Sequence, residues 1–225
     1  IVPMHLPLLA YLAGLSGGVP CTSGLLRWRS LSSDLRILAV LFTVNFVAMI
    51  VQIALSRKGV NNLWISHFYS LIEFLCLTWV FAEWQVTGWK RKLLHHSVLG
   101  YIIFWVLSKL FLEDLTRQPY YTVFLSKIFF TAWSIQLLPL ISGETKAQLF
   151  SLPRFWIVSA NLISSSGSLM FYSLRTTIDK LPLEGLVIAY GIHWIIMILS
   201  NAVFAAGFLC KARPRNSGGQ LELAQ

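Results

Sequence analysis

Three ionisable residues of complementary chemistry lie within long apolar segments: a carboxylate at Glu73, an amine at Lys127 and an imidazole at His193. A charged group is costly in hydrocarbon, so such residues are rare there and mark paired or functional sites. A carboxylate and an amine form an ion pair, whereas a carboxylate beside an imidazole can transfer protons to and from a substrate. These residue types therefore suggest either a polar binding pocket or an acid–base centre.

The three residues are carried by separate helices and are predicted to share a depth. They follow the expected helix starts at Leu63, Tyr120 and Leu186 by ten, seven and seven residues. At 1.5 Å per residue, all three lie about 10–15 Å below the outer surface. We expect Glu73 and Lys127 to form an ion pair there. The sequence thus predicts an outward-facing polar pocket lined by Gln52, Tyr69, Glu73, Lys127, Tyr172, Tyr190 and His193.

Other polar residues in the apolar segments are expected to hydrogen-bond one helix to another, as buried polar groups in membrane bundles often do. On the third helix, polar residues from Asn62 to Glu73 confine themselves to an arc of about 100°, which predicts that this face points inward. The predicted helix-bonding residues are Asn45, Asn62, Ser66, Ser70, Asn161, Ser168 and Asn201. Two further residues near helix ends, His67 and Lys109, are expected to be interfacial and to reach for the membrane surface.

The composition identifies the class of protein to which these helices belong. Of 225 residues, 56% are hydrophobic and 12% are charged, and the mean hydropathy is +0.67. A water-soluble globular protein of this size needs more charged side chains on its surface. We therefore expect an integral membrane protein. The net charge of +9 comes from basic residues scattered between apolar runs, which indicates topology signals and not a nucleic-acid interface.

The apolar runs predict an all-α bundle of seven transmembrane helices. The alternate connections carry eleven and five basic residues, which predicts an N-terminus outside and a cytoplasmic C-terminus. The Gly17-Gly18 pair could kink the first span. A polar tail at 211–225 follows the membrane domain at 1–210, and we expect the tail to contact the protein's own face or a partner. The predicted spans are roughly 3–25, 36–56, 63–86, 93–112, 120–141, 154–174 and 185–209.

Several known chemistries lack their residues in this sequence. The last apolar run, Gly185 to Cys210, has no lysine for a retinal Schiff base, and no Pro-Gln dipeptide of the PQ-loop carriers occurs. The three-histidine zinc set of ceramidase-type hydrolases is missing, and His67 and His193 differ in depth. The three cysteines fit neither a disulfide framework nor a CxxC site. The sequence therefore predicts no catalytic set, no metal site and no identified cofactor.

The stretch from Gly59 to Phe74, GVNNLWISHFYSLIEF, with the short basic loop after the first span, resembles a group of uncharacterised seven-span membrane proteins of Bacteroidetes-type bacteria. The resemblance covers the first three helices. It implies a seven-span topology and a bacterial inner membrane. It implies no activity.

These observations lead to three hypotheses of function. The first is a non-enzymatic bundle that senses a small ligand or serves as an embedded subunit of a larger membrane complex. The second is an intramembrane lipid-modifying enzyme that uses Glu73 and His193. The third is a small-solute or proton-coupled carrier with Glu73 as the titrating group. The expected partners are the lipid bilayer and partner membrane subunits, and not nucleic acid.

Overall fold

The computed structural model describes residues 8–144, 149–178 and 180–210. Within these ranges the secondary structure is helical, with no strands, as the apolar runs predict. The sequence predictions for residues 3–7, for Lys146 and for the tail at 211–225 lie outside the described residues. The helices are α1 Leu8–Ser16, α2 Gly18–Leu26, α3 Ser33–Arg57, α4 Leu63–Glu83, α5 Gly88–Phe111, α6 Tyr121–Glu144, α7 Pro153–Ser173, α8 Arg175–Ile178 and α9 Leu183–Leu209.

The helix ends follow the local chemistry of the backbone. Gly17 separates α1 from α2, so the predicted first span is two short helices. Gly59 adopts φ of 69°, a conformation open mainly to glycine, and turns the chain from α3 into α4. Pro153 is the first residue of α7 and Pro182 directly precedes α9, where a missing N–H costs no helical hydrogen bond.

One helix begins well before its predicted start. We expected the fourth span from residue 93, but α5 begins at Gly88 and includes Lys90, Arg91 and Lys92. Long basic side chains can extend from the first helical turn to a polar surface, so charge ends the apolar run without ending the helix. Hydropathy therefore underestimates the length of this helix.

Six helical segments are long and apolar enough to cross a membrane, counting α1 and α2 together as Leu8–Leu26. The other five are α3, α4, α5, α6 through Gly143, and α9. At 21 residues, α7 has a comparable length but is interrupted by polar side chains, among them Asn161, Ser165 and Ser168. These three side chains are buried within the protein.

The helices form a closed ring. α3 packs on α4, α4 on α6, α6 on α7 and α7 on α9, and the α1–α2 pair fills the space between α9 and α3. α5 lies outside this ring against α4 and α6. We call the end where α3, α5 and α7 finish and α4, α6 and α9 begin the upper end, and the opposite end the lower end.

α7 and α9 approach each other unusually closely. A Cβ atom added at Gly167 of α7 would lie 2.6 Å from Cγ2 of Ile196, and one added at Gly207 of α9 would lie 2.8 Å from Cδ1 of Ile157. Each helix thus contributes a glycine against an isoleucine of the other. Small residues permit such close packing in membrane bundles, and here they fix the separation of two walls of the central cavity.

Candidate functional site

A cavity of about 360 Å³ occupies the centre of the ring. Its walls come from α3, α4, α6, α7 and α9, and from Gln118 and Pro119 in the connection between α5 and α6. The described residues of α1, α2 and α5 contribute nothing to its lining. The ring of helices therefore encloses one shared space toward which the polar helix faces converge.

The cavity changes character from top to bottom. Toward the upper end its wall includes polar side chains such as Gln52, Ser66 and Tyr172. The lower part combines apolar residues with neutral polar ones: Leu77, Phe42 and Phe204, whose ring centroids are 4.7 Å apart, lie near Asn45, Asn161, Ser200 and Asn201. The space is thus amphiphilic, with the charged pair in its upper part and a mixed apolar and neutral polar wall below.

The ion pair between Glu73 and Lys127 lies in the wall of this cavity. Lys127 Nζ donates hydrogen bonds to both carboxylate oxygens of Glu73, at 2.8 and 3.0 Å. The Lys127 side chain is 10% exposed and that of Glu73 is 18% exposed, so both remain accessible from the cavity. The pair joins α4 to α6 and presents a cation and an anion side by side.

His193 of α9 also lines the cavity. Its ring stacks on Phe171 of α7 with centroids 4.6 Å apart, which fixes the plane of the imidazole. Its Nδ1 atom is buried and has no hydrogen-bond partner among the described residues. Buried polar atoms are normally hydrogen-bonded, so this enclosed atom is an exception, and it is the rest of the ring that contacts the cavity.

Six of the seven residues expected to line a pocket do line this cavity: Gln52, Tyr69, Glu73, Lys127, Tyr172 and His193. Tyr190 is not among the lining residues. Its ring packs edge-on against Phe171 at 4.9 Å and near Trp194. Three residues before His193, Tyr190 is rotated by about 60° around the helix, which is enough to turn it from the cavity to the helix interface.

Several of the predicted helix-bonding residues do connect helices. Gln52 of α3 donates through Nε2 to Ser66 Oγ of α4 at 2.7 Å, and its backbone carbonyl accepts from Asn62 at 2.5 Å. Lower in the bundle, Asn161 donates to Ser134 of α6 at 2.9 Å. Likewise, Asn201 of α9 donates to Ser16 of α1 at 2.8 Å. These amides hold neighbouring helices in register around the cavity.

Three others do something different. The Ser70 hydroxyl donates to the carbonyl of His67 in its own helix at 2.7 Å, because a serine side chain readily reaches a backbone oxygen one turn back. Asn45 and Ser168 line the cavity. A hydroxyl or amide group on an inward-facing arc can thus bond a neighbouring helix, bond its own backbone or line an open space. The spacing of residues in the sequence does not distinguish these three arrangements.

A buried polar cluster at the upper end was missed by the sequence analysis. Glu113 accepts hydrogen bonds from Lys109 and from the backbone N–H and hydroxyl of Thr122, the last two at 3.0 Å. Burial alone would raise the pKa of the Glu113 carboxyl. The hydrogen bond and positive charge of Lys109, together with the two hydrogen bonds from Thr122, outweigh burial and leave the pKa below its ordinary value. This carboxylate ties the end of α5 to the start of α6.

This cluster supplies partners that the sequence did not predict for two residues. Lys109 extends toward the upper end of its helix and pairs there with Glu113 one turn later. His67 is fully buried in the protein, with its Nε2–H directed at the Arg117 carbonyl at 2.8 Å and its Nδ1 atom 3.8 Å from Glu113. Their predicted interfacial depth stays a prediction. Glu113 lies just beyond the apolar run and was treated as loop; the four-residue spacing from Lys109 was the available signal.

A polar bridge crosses the upper end of the cavity. Arg175, in the short helix α8, donates to Oε1 of Gln118 at 2.7 Å. Gln118 belongs to the cavity lining, whereas Arg175 follows directly after α7. Neither residue was predicted as part of a site, because both lie in connections and not in apolar spans. The bridge brings two connections together at the mouth.

Within the described ranges, no group of three or more His, Cys, Asp and Glu residues is arranged to hold a metal ion. Comparisons of the chain with protein-family models, with curated proteins and with solved structures found no match. The functional argument therefore depends on the geometry and charge of the cavity.

Proposed function

We propose that this chain is a seven-helix integral membrane protein of a bacterial inner membrane that binds a small ligand in its central cavity. The upper end faces the outside of the cell, so the ligand enters from the periplasm. Binding serves either a sensor or a ligand-binding subunit of a larger membrane complex. The observation that carries this proposal is the amphiphilic cavity with the accessible Glu73–Lys127 pair in its wall.

The dimensions and lining of the cavity support ligand binding. At about 360 Å³, it falls within the range of small-molecule sites, and its mixed lining of apolar walls and a few convergent polar groups is typical of such sites. An ion pair that served only to join α4 and α6 would be expected to lie away from open space. Here both partners line the cavity instead.

The position of α7 supports seven spans. α7 lies between α6 and α9 in the ring, and its length of 21 residues matches the thickness of a bilayer core. Its polar residues are buried between neighbours, so a lower hydropathy is compatible with a transmembrane position. The excess of basic residues in the connections at the lower end favours a cytoplasmic lower end, and the resemblance of residues 59–74 favours a bacterial origin.

A lipid-modifying enzyme is the second candidate, because Glu73 and His193 line the same cavity. Both oxygens of Glu73 accept hydrogen bonds from Lys127, so a proton transferred to this carboxylate would neutralise it and leave Lys127 without its counter-charge. A carrier would require a path past Phe42 and Phe204, whose ring centroids are 4.7 Å apart at the lower end of the cavity lining. Both features favour binding over turnover and over transport.

The test is a substitution that fills the cavity. Ala48 lines the cavity, whereas the adjacent Val47 is 53% exposed on the outer face of α3, so Ala48→Phe and Val47→Phe form a matched pair. The purified proteins in lipid nanodiscs are screened for thermal stabilisation by a library of small periplasmic solutes. A ligand at one hundred times its Kd should stabilise the wild type and Val47→Phe by about 2.7 kcal/mol. Ala48→Phe should lose this response.

Two results would contradict the proposal: no solute stabilises the wild type, or Ala48→Phe responds as strongly as Val47→Phe. The ligand is also recovered after incubation and analysed by mass spectrometry. An unchanged ligand agrees with binding, whereas a consumed ligand identifies the enzyme. Uptake into sealed vesicles of the wild type, lost in Ala48→Phe, would identify a carrier.

A further inference from the structure

The fixed charges of the cavity sum to zero. Among the described lining residues, Glu73 and Lys127 are the only acidic and basic side chains apart from the titratable His193. A ligand with a net charge would bring an uncompensated charge into a site surrounded by low-dielectric protein and lipid. A ligand that carries both charges would leave the site neutral, because its ammonium can face Glu73 and its carboxylate can face Lys127.

The ion pair retains bonding capacity for such a ligand. An ammonium has three donors, and Lys127 directs its hydrogen bonds at the two oxygens of Glu73. A carboxylate offers about four acceptor positions, so Glu73 can accept further hydrogen bonds. Both side chains are accessible from the cavity. A zwitterion can therefore dock beside the intact pair and form a square of alternating charges.

His193 adds a polar side chain to the cavity wall, and the stacking on Phe171 holds its ring in place. Its Nδ1 atom is enclosed by protein atoms and has no hydrogen-bond partner among the residues that the structure describes. An imidazole nitrogen that faces the cavity can accept from an ammonium or, in the other tautomer, donate to a carboxylate. The ring therefore adds a polar surface beside the ion pair without adding a fixed charge.

Below the ion pair, the described cavity wall carries no further charged side chain and includes several apolar ones. Leu77 follows Glu73 by four residues on α4, and Met197 follows His193 by four residues on α9, so each lies about 6 Å lower. Phe42 and Phe204 lie beneath them, and the remaining lining there is neutral and polar: Asn45, Asn161, Ser200 and Asn201. Methionine side chains adapt to different apolar shapes, so this part of the cavity suits a hydrocarbon or aromatic body and not a second charge.

On these grounds, and given the ligand-binding function proposed above, we infer that the ligand is an apolar amino acid or a closely similar small zwitterion. Its ammonium and carboxylate lie at Glu73 and Lys127, and its side chain points toward Phe42 and Phe204. The headgroup of an ethanolamine phospholipid has related chemistry. A free solute is favoured because the cavity is small and reaches the connection at Gln118 and Pro119.

The experiment compares ligands that differ only in charge. Leucine is a zwitterion, leucinamide is a cation and 4-methylpentanoate is an anion with the same side chain. Equivalent sets are made from methionine and phenylalanine. Calorimetric binding to the wild-type protein in phosphatidylcholine nanodiscs should give at least one amino acid a Kd roughly tenfold or more below those of both its charged analogues, since each analogue brings a net charge into a site whose own charges sum to zero.

Variants of the pair assign this preference to its residues. In Glu73→Gln the preference should move toward the anion, and in Lys127→Gln toward the cation. The double variant Glu73→Gln/Lys127→Gln has no unpaired charge and should fold even if the single variants do not; it should bind the three members of a set within about threefold of each other. Glu83→Gln, which alters an exposed ion pair outside the cavity, should retain the wild-type preference.

The inference is overturned if no amino acid in the sets binds more tightly than both of its charged analogues, or if the double variant keeps the preference. It is also overturned, in favour of a lipid ligand, if phosphatidylethanolamine nanodiscs abolish amino-acid binding by competition. The proposed function fails separately, because it depends on the wider solute library and on the comparison of Ala48→Phe with Val47→Phe.

Discussion

At the residue scale, the Glu73–Lys127 pair combines a structural task with exposure to open space. Each charge compensates the other, so neither is left alone in a medium that solvates ions poorly. Removing one partner is therefore more damaging than removing both, since a single remaining charge keeps its full desolvation cost. This asymmetry provides a direct test of the pairing.

We expect Glu73→Gln to lower the free energy of unfolding by about 3 kcal/mol, because Lys127 loses its counter-charge. The double variant Glu73→Gln/Lys127→Gln should recover at least half of that loss. Unfolding of the protein in detergent micelles or nanodiscs, followed by circular dichroism against temperature or denaturant, measures both values.

The matched control is Glu83→Gln. Glu83 pairs with Arg91 at 2.5 Å, but the two side chains are 36% and 48% exposed. Such pairs contribute less than about 1 kcal/mol, so the control should change stability little. Equal losses in Glu73→Gln and Glu83→Gln would show that burial of the first pair has no energetic importance.

Glu113 gives the upper end a dependence on pH. Its folded-state pKa lies below the ordinary value of 4.5, because hydrogen bonds from Lys109 and Thr122 outweigh the opposing effect of burial. A lowered folded pKa means that the stabilisation is present above about pH 4.5 and is lost as the pH falls from there through the folded pKa. The cluster should thus weaken in acid and not in base.

We therefore expect the Tm of the wild type to fall as the pH is lowered from about 5 to 3, and Glu113→Gln to show a shallower fall from a lower starting Tm. Asp114→Asn is the comparison. The pKa of Asp114 is also lowered, by hydrogen bonds within the turn to Thr116, but this carboxyl is fully exposed and ties no helices together. Parallel pH profiles for the wild type and Glu113→Gln would contradict the assignment.

At the element scale, the two close-packed glycines decide where α7 can lie. Gly167 faces Ile196 and Gly207 faces Ile157, so the α7–α9 contact is built twice from a glycine and an isoleucine. An added methyl group meets a β-branched side chain that has little freedom to move away. Any displacement of α7 also shifts Ser164, Ser168 and Tyr172 in the cavity wall.

Gly167→Val should destabilise the protein by about 1–3 kcal/mol through overpacking, and adding Ile196→Ala should restore part of that loss. Gly100→Val is the matched control, because a Cβ at Gly100 of α5 meets no atom within 4 Å. Thermal unfolding of the three variants distinguishes a steric cause from the general effect of valine in a helix. A control as unstable as Gly167→Val would refute the steric explanation.

The sequence was informative where a polar or charged group in hydrocarbon can avoid its free-energy cost in only a few ways. Runs of about 20 apolar residues predict helices, and a carboxylate and an amine at one depth predict a pair, because the alternative is an unsatisfied charge in hydrocarbon. It was less informative where several neighbours compete. Tyr190 and His193 differ by less than one turn yet face different surroundings. The burial of His67 was not predicted, because its partners Glu113 and Arg117 come from a connection.

At the scale of the whole molecule, the ring places every polar helix face around one space and leaves α5 outside. α5 is fastened to α4 by the stacked rings of Phe74 and Tyr101, 3.7 Å apart, and to α6 through the Glu113 cluster. Many of its remaining large side chains, such as Leu99 and Ile103, are exposed and suit a lipid surface. The site thus depends on five helices and on the angle at which they cross the bilayer.

The proposed orientation can be tested with matched cysteines. After the three native cysteines are replaced by serine, Thr116→Cys places a thiol in an exposed connection at the upper end, and Thr87→Cys places one at the lower end. A membrane-impermeant maleimide should label the first in intact cells and the second only after permeabilisation. The opposite pattern would invert the topology and move the mouth of the cavity to the cytoplasm.

The hydrogen bond between Arg175 and Gln118 joins the two connections at the upper end of the cavity. Under the proposed entry from the upper end, a solute passes Gln118 on entry and again on exit, so we expect this hydrogen bond to affect residence time and the ion pair to affect affinity. Gln118→Ala should then accelerate association and dissociation together and leave their ratio nearly constant, as stopped-flow measurements would record. A receptor built this way could change its response time by varying one loop, with no alteration to the residues that recognise its signal.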